Sequence, residues 1–219
     1  MKGVLDMGTS ELYDYLVQSY KANGEPIFIE DLNSHFNKNI RVELKRLIDS
    51  GKLNRFQKGV YFLPYKNMLG LEGKINRDEY LKKKFLDNDT VQGYITGFDL
   101  VNRAGFTSQV PAVLEIRSNS ATTEQRKVDV GKRPVIIYKP WVKITKENKK
   151  VLQFLDLMYY LSDYNEYYKS EDKEYFLKLI KRYIQDNNID LKQADEYIGH
   201  YPDKLFKNLY TGGLYGLLA

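Results

Sequence analysis

The chain has 219 residues, of which 42% are hydrophobic and 29% charged, and it contains no cysteine. This balance excludes an intrinsically disordered chain, and the lack of cysteine excludes disulfides, thiol nucleophiles and cysteine metal sites. The apolar runs are shorter than the roughly 18–20 residues that cross a bilayer, and residues 1–30 lack the pattern of a signal peptide, so we expect a cytoplasmic protein with no membrane partner.

The formal charge of +5 is unevenly distributed along the chain. Residues 1–36 carry a net charge of −4, residues 37–66 carry +6, residues 67–155 carry +6, and residues 156–219 carry −3. A basic middle between acidic ends indicates a surface that faces a polyanion. Solvated helix faces would produce the same net charges, so the charge pattern alone leaves both interpretations open.

The first 36 residues predict two helices separated by a short extended segment. Residues 10–21 form an amphipathic pattern that ends at a glycine and a proline. Residues 27–36 predict a short extended start followed by a brief helix.

A third helix and a hairpin follow. Apolar residues at helical spacing predict one buried stripe, formed by Ile40, Leu44, Leu47 and Ile48. Gly51 is suited to the end of that helix. Residues 53–64 then alternate in polarity around a turn at residues 57–59, which predicts a two-stranded hairpin.

This order of elements, within about 66 residues, is that of a winged helix-turn-helix. The side of the third helix opposite its apolar stripe carries amide and cationic side chains that suit base edges and phosphates. The predicted DNA-binding residues are Lys38, Asn39, Arg41, Val42, Lys45 and Arg46 on the helix, and Arg55 and Lys58 on the wing. A small helical domain with an exposed basic helix and no nucleic-acid role is the alternative.

The remainder of the chain predicts a second domain. Residues 67–75 are interpreted as a connector, and residues 76–219 as a mixed α/β domain with a short helix at residues 97–103. Its strands are expected at about 112–140, as residues 112–119 and 133–140, and its helices, which form a terminal bundle, at about 148–210. Residues 151–161 are nearly all apolar and predict a buried helix. The predicted fold class is therefore α+β. A possible secondary basic surface consists of Arg117, Lys132, Arg133 and Lys139.

Four segments together resemble the AbiEi antitoxin family, which contains regulators of type IV toxin–antitoxin systems in bacterial abortive infection, a phage defence. They are "RVELKRLIDSGKLNRFQKGVYFLP", "GYITGFDLVNRAGFTSQVP", "LEIRSN" and "RPVIIYKP". The resemblance covers roughly residues 9–200. Its best markers are "GVYFLP", at the end of the predicted hairpin, and "GYITGFDLVNRAGFTSQVP".

The resemblance implies a winged helix-turn-helix followed by a C-terminal antitoxin domain. It implies a repressor that binds inverted repeats in the double-stranded DNA of its own promoter. It also implies a functional partner, a nucleotidyltransferase-like toxin, which such antitoxins counteract without necessarily forming a stable complex with it. The recognition-helix and wing roles fall on the eight residues named above, whereas no individual residue is implied for the antitoxin activity.

Two other classes of protein are alternatives to an antitoxin regulator. An enzyme is disfavoured because the only histidines, His35 and His200, are far apart in sequence, and zinc-protease, nucleophile-elbow and phosphate-loop motifs are missing. We therefore expect no catalytic residue, metal or cofactor. The other alternative is a general winged-helix transcriptional regulator that has a ligand- or protein-binding C-terminal domain and no toxin partner.

Overall fold

The computed structural model describes residues 9–36, 40–87, 92–130, 133–164 and 173–211, together with residues 213 and 216. Within these ranges the chain is a mixed α+β protein with nine α-helices and two small sheets. It divides into two compact units, Met1–Leu81 and Lys82–Ala219. No helix in the described part of the chain is long and apolar enough to cross a membrane.

The first unit combines four helices with a three-stranded sheet. Its elements are α1 (Thr9–Ser19), β1 (Ile27–Phe28), α2 (Ile29–Asn33), α3 (Ile40–Asp49), β2 (Asn54–Gln57), β3 (Val60–Phe62) and α4 (Arg77–Leu81). The strand order is β1-β3-β2, and both pairings are antiparallel. Strand β3 is therefore central, and all three of its residues are buried.

One apolar core holds this unit together. The stripe on α3 packs with Leu12 and Leu16 of α1, and both of these leucines are buried. Tyr61 and Leu63 bring β3 and the residues after it into the same core. Helical spacing on α1 and α3 thus turns one face of each helix inward, as the apolar periodicity of the sequence predicts.

The second unit begins with a π-helical turn at Lys82–Leu86. It continues with β4 (Gly93–Thr96), α5 (Gly97–Arg103), β5 (Leu114–Ser118), β6 (Gln125–Val128), β7 (Val135–Tyr138), α6 (Lys149–Tyr164), α7 (Lys173–Asn187), α8 (Leu191–Ile198) and α9 (Asp203–Thr211). The strand order is β4-β5-β7-β6, in which β5 and β7 are parallel and the other pairs antiparallel.

Helix α6 is the centre of the second unit, because it packs against α5, α8, α9 and β4. Leu152, Leu155 and Leu157 are at most 1% exposed, and Phe154 is 2% exposed. A helix that is apolar on nearly all sides must be surrounded on nearly all sides. The prediction of a buried helix at this position is confirmed.

Other predicted elements are found, with shorter bounds for the strands. Helix α5 covers Gly97–Arg103, as predicted, and strands β5 and β7 lie inside the predicted strand segments. Strand β6 was not predicted. Its residues Gln125–Val128 are alternately exposed and half-buried. The first three are all polar, so the sequence of this strand has no alternation of apolar and polar side chains.

Candidate nucleic-acid interface

Helix α3 has one buried side and one exposed side. Ile40, Leu44 and Leu47 are between 1% and 4% exposed and form the buried side. The exposed residues of the helix are Arg41, Val42, Lys45, Arg46 and, at its last position, Asp49. The first four were predicted from the sequence as DNA-binding residues. The core of the unit therefore fixes the rotation of α3, and that rotation presents its cations to solvent.

Arg46 is held in place by a neighbour on the same helix. Its Nη1 donates to Oε1 of Glu43 over 2.8 Å, while the Arg46 side chain remains 64% exposed. The Glu43 side chain is only 13% exposed, and its other carboxylate oxygen accepts a hydrogen bond from the hydroxyl of Thr9, at the start of α1. Glu43 thus links α1 to α3 and orients the Arg46 guanidinium.

Arg41 and Lys45 differ from Arg46 because neither makes an ion pair with any residue that the structure describes. Both are exposed. Neither side chain is therefore held in an ion pair within the described chain. An exposed cation without an ion-pair partner contributes the most binding free energy when a phosphate approaches.

A glycine ends α3 and directs the chain into the hairpin. Gly51 has a φ of +71°, a left-handed conformation that side chains disfavour. Its N–H donates to the carbonyl of Ile48 over 2.9 Å, and the next N–H, of Lys52, donates to the carbonyl of Leu47 over 2.9 Å. Leu53, 1% exposed, then anchors the start of the hairpin in the core.

The hairpin of β2 and β3 presents the other two predicted cations. Lys58 lies in the turn and is exposed, and Arg55 is exposed with its Nε donating to the carbonyl of Gln57 over 3.3 Å. On β2 the side chain of Gln57 donates to the Tyr80 hydroxyl over 2.7 Å, and the Phe56 ring contacts the Tyr80 ring at 5.4 Å. The hairpin is thus fixed to α4, while Arg55 and Lys58 face solvent.

The predicted site residues fall into two groups. Arg41, Val42, Lys45 and Arg46 on α3, and Arg55 and Lys58 on the hairpin, are exposed on two consecutive elements of one unit. Lys38 and Asn39 lie outside the described residues.

The predicted secondary basic surface requires correction. Arg117 is 4% exposed, because it lies on the buried strand β5, and its Nε donates to Oδ2 of Asp156 over 2.7 Å. It therefore belongs to the core of the second unit. Arg133 is half-buried and bonds to Asp99 over 2.9 Å, while Lys139 is exposed and lies 3.3 Å from the carboxylate of Glu124. Lys132 is outside the described residues.

Arg117 is the centre of a buried polar cluster that the sequence did not reveal. Its guanidinium carbon lies 3.6 Å from the centre of the Trp141 ring, and its Nη1 donates to the carbonyl of Lys139 over 2.8 Å. The Thr96 hydroxyl donates to Asp156. Burial raises the pKa of Asp156, and the adjacent Arg117 guanidinium opposes that rise. These bonds join β4 and β5 to α6.

The sequence does indicate that Arg117 and Asp156 are unusual, because each is a charged residue within an apolar or β-prone segment. Asp156 is the single charge in "VLQFLDLMYYL", and Arg117 lies inside a short strand of mostly β-prone residues. A lone charge on an otherwise apolar element must find a partner when it is buried. In the described part of the chain, no group of three or more His, Cys, Asp or Glu residues could hold a metal ion.

The fold and the site define a two-unit α+β protein whose first unit exposes a cationic helix and a cationic hairpin. The chain belongs to DUF6088, a family of unknown function, and the match covers residues 15–162. That range includes parts of both units. No curated protein matches the chain. Because the family has no known function, the resemblance to AbiEi antitoxins stays a prediction.

Proposed function

We propose that the first unit is a winged helix-turn-helix that binds double-stranded DNA, and that the protein is a transcriptional regulator. The observation that carries the proposal is the outer face of α3. Arg41 and Lys45 are exposed there without a carboxylate partner among the described residues, while the opposite face of the helix is buried.

The dimensions of α3 suit this role. Its 10 residues correspond to a length of about 15 Å, and the major groove of B-DNA is about 12 Å wide and admits an α-helix. Lys45 and Arg46 lie in the middle and last turns of α3, where they can reach phosphates or the acceptor edge of guanine. Arg55 and Lys58 on the hairpin are proposed to contact phosphates beside the groove.

We further propose that the protein represses its own operon through inverted repeats and acts as the antitoxin of a type IV system. This step rests on the resemblance to the AbiEi family. Its functional partner would be a nucleotidyltransferase-like toxin, and the second unit would carry the antitoxin activity.

A ligand-responsive regulator without a toxin partner is the second candidate, and one observation favours it. The second unit contains an open cavity of about 640 Å³, which lies within the usual size range of small-molecule sites. Apolar and polar side chains line it together, among them Leu100, Leu179, Arg103, Arg182 and Asp186.

DNA binding is tested with the purified full-length protein and DNA from its own promoter. Lys45→Ala combined with Arg46→Ala is expected to weaken binding by roughly tenfold or more, because two cations are lost from the groove-facing surface. Lys178→Ala combined with Lys181→Ala is the matched control, since both of these exposed lysines lie on α7 and the loss of charge is equal. Equal weakening by both pairs would contradict the assignment of α3.

The antitoxin role is tested separately by co-expression with the neighbouring gene. If that gene arrests growth, the wild-type chain is expected to restore growth. Continued arrest with normal promoter binding would refute the antitoxin role and leave the DNA-binding proposal intact.

A further inference from the structure

A turn in the first unit exposes three apolar side chains close together. At residues 67–71, Met68 is fully exposed, Leu69 is 81% exposed and Leu71 is 61% exposed. Single exposed apolar residues are common, but a contiguous group of them marks an interaction surface. This group, Met68, Leu69 and Leu71, is called the apolar tip below.

The backbone of the turn is tightly hydrogen-bonded. The N–H of Asn67 donates to the carbonyl of Leu71 over 2.9 Å, and the N–H of Gly70 donates to the carbonyl of Asn67 over 2.9 Å. The Asn67 side-chain oxygen accepts from the N–H of Leu69 over 2.9 Å and from that of Leu71 over 3.1 Å. The apolar tip is therefore pre-formed, so little conformational entropy is lost when a partner covers it.

The base of the turn carries charges of both signs and a recess. Lys66 and Glu72 face each other across an antiparallel bridge, and both are exposed. Beside them is a recess of about 500 Å³. Asn23, from the segment after α1, lines it together with residues from both sides of the turn, including Tyr65, Leu71, Glu72 and Lys74. The Tyr65 hydroxyl donates to the carbonyl of Lys74 over 2.7 Å and so fixes one wall of the recess.

We propose that the apolar tip binds a second copy of this chain, with each tip seated in the recess of the other copy. A two-fold contact between identical surfaces brings residue i against residue j and residue j against residue i. Lys66 of each copy then faces Glu72 of the other. The proposal does not depend on DNA binding.

The flanking charges favour a second copy over other occupants. Nucleic acid or an anionic lipid surface would be met best by cations on both sides of the tip. Here the charges at the base of the turn are of both signs, Lys66, Glu72 and Lys74, and Lys66 and Glu72 complement their two-fold copies. An apolar centre with such charged edges is the usual composition of a protein–protein contact.

The size of the surface sets the strength of the contact. A stable complex buries about 1,200–2,000 Å² in total, and a five-residue turn supplies only part of that area. We therefore expect weak, concentration-dependent association of the free protein, with no DNA present.

Sedimentation velocity of the full chain over a concentration series tests the proposal. Lys66→Glu and Glu72→Lys, each alone, are expected to weaken self-association by roughly tenfold, because each places like charges opposite one another twice. An equimolar mixture of the two variants restores opposite charges at both contacts, so association is expected to return. The chain that carries both substitutions is expected to associate like the wild type.

Leu69→Asp is the test of the apolar contact, and its far-ultraviolet circular dichroism is expected to equal that of the wild type because Leu69 is exposed. Loss of association in this variant supports the proposal. A wild-type protein that stays monomeric at millimolar concentration would overturn it, as would single charge variants that associate normally. Sedimentation of the wild type, but not of Leu69→Asp, with phosphatidylserine vesicles would overturn it in favour of a lipid partner.

Discussion

Val42 places an apolar side chain, 52% exposed, beside the cations on the outer face of α3. Cations attract any DNA sequence, whereas an apolar side chain in the major groove distinguishes bases by contact with the thymine methyl group. Within the proposed function, Val42 is therefore expected to contribute to sequence discrimination more than to general affinity.

The first prediction concerns Val42→Ala. Removing about two methyl groups from a contact with thymine is expected to cost about 1 kcal/mol, or about fivefold in affinity for promoter DNA. Replacing the contacted thymine by uracil is expected to weaken wild-type binding, and to leave the binding of Val42→Ala unchanged. Fluorescence anisotropy with a set of thymine-to-uracil duplexes measures both effects. A variant that remains as sensitive as the wild type to every uracil would exclude Val42 as the methyl contact.

The second prediction concerns the buried pair of Arg117 and Asp156, whose side chains are 4% and 0% exposed. Asp156→Asn leaves the Arg117 charge buried without its partner, which is expected to destabilise the second unit by about 3–5 kcal/mol. Replacing both residues, with Arg117→Met and Asp156→Leu, is expected to cost less than Asp156→Asn alone. Urea denaturation followed by the fluorescence of Trp141, the only tryptophan in the chain, measures the difference.

A surface pair provides the control for this prediction. Arg182 lies 3.4 Å from Asp186, with side chains 77% and 64% exposed. Arg182→Met is expected to change the stability by less than about 0.5 kcal/mol, because water screens that pair. A similar decrease in the free energy of unfolding in Asp156→Asn and in Arg182→Met would show that burial does not control the energy of the Arg117–Asp156 pair.

At the scale of single elements, the end of α3 determines where the hairpin starts. Gly51→Ala is the third prediction. An added Cβ would meet nothing within 4 Å, but the φ of +71° remains, so we expect a loss of about 1 kcal/mol from backbone strain alone. Gly199→Ala is the matched control, since its Cβ also meets nothing within 4 Å while its φ is −64°. Thermal unfolding by circular dichroism is expected to show a lower midpoint for Gly51→Ala only.

The elements that the sequence predicted well are those with a periodic apolar side. Helix α3 was predicted because its stripe repeats at helical spacing, and its exposed cations follow from the same rotation. Helix α6 was predicted because an apolar segment of its length has to be buried.

The elements and contacts that were missed depend on partners distant in sequence. Strand β6 (Gln125–Val128) forms an edge of its sheet by pairing with β7, and its polar residues carry no period. Arg117 was counted as surface charge because its partner, Asp156, lies 39 residues further along the chain. A pattern within one segment cannot show a bond of this kind.

At the scale of the whole molecule, the chain joins two compact units with separate cores. The family match includes residues from both, so we regard the combination, and not the first unit alone, as the feature of the family. The proposed division of roles assigns DNA binding to the first unit, and antitoxin or ligand-responsive activity to the second. Variants in either unit can therefore be used to separate the two activities.

The central claim is that the outer face of α3 contacts DNA phosphates and base edges. It is tested most directly by the salt dependence of binding to promoter DNA. Each phosphate contact contributes about 0.9 to the slope of log affinity against log salt concentration. The Lys45→Ala, Arg46→Ala protein is expected to show a slope smaller in magnitude by about 2 than that of the wild type, while the Lys178→Ala, Lys181→Ala control keeps the wild-type slope. A wild-type slope in the α3 variant, or no salt-dependent binding by the wild type, would contradict the claim.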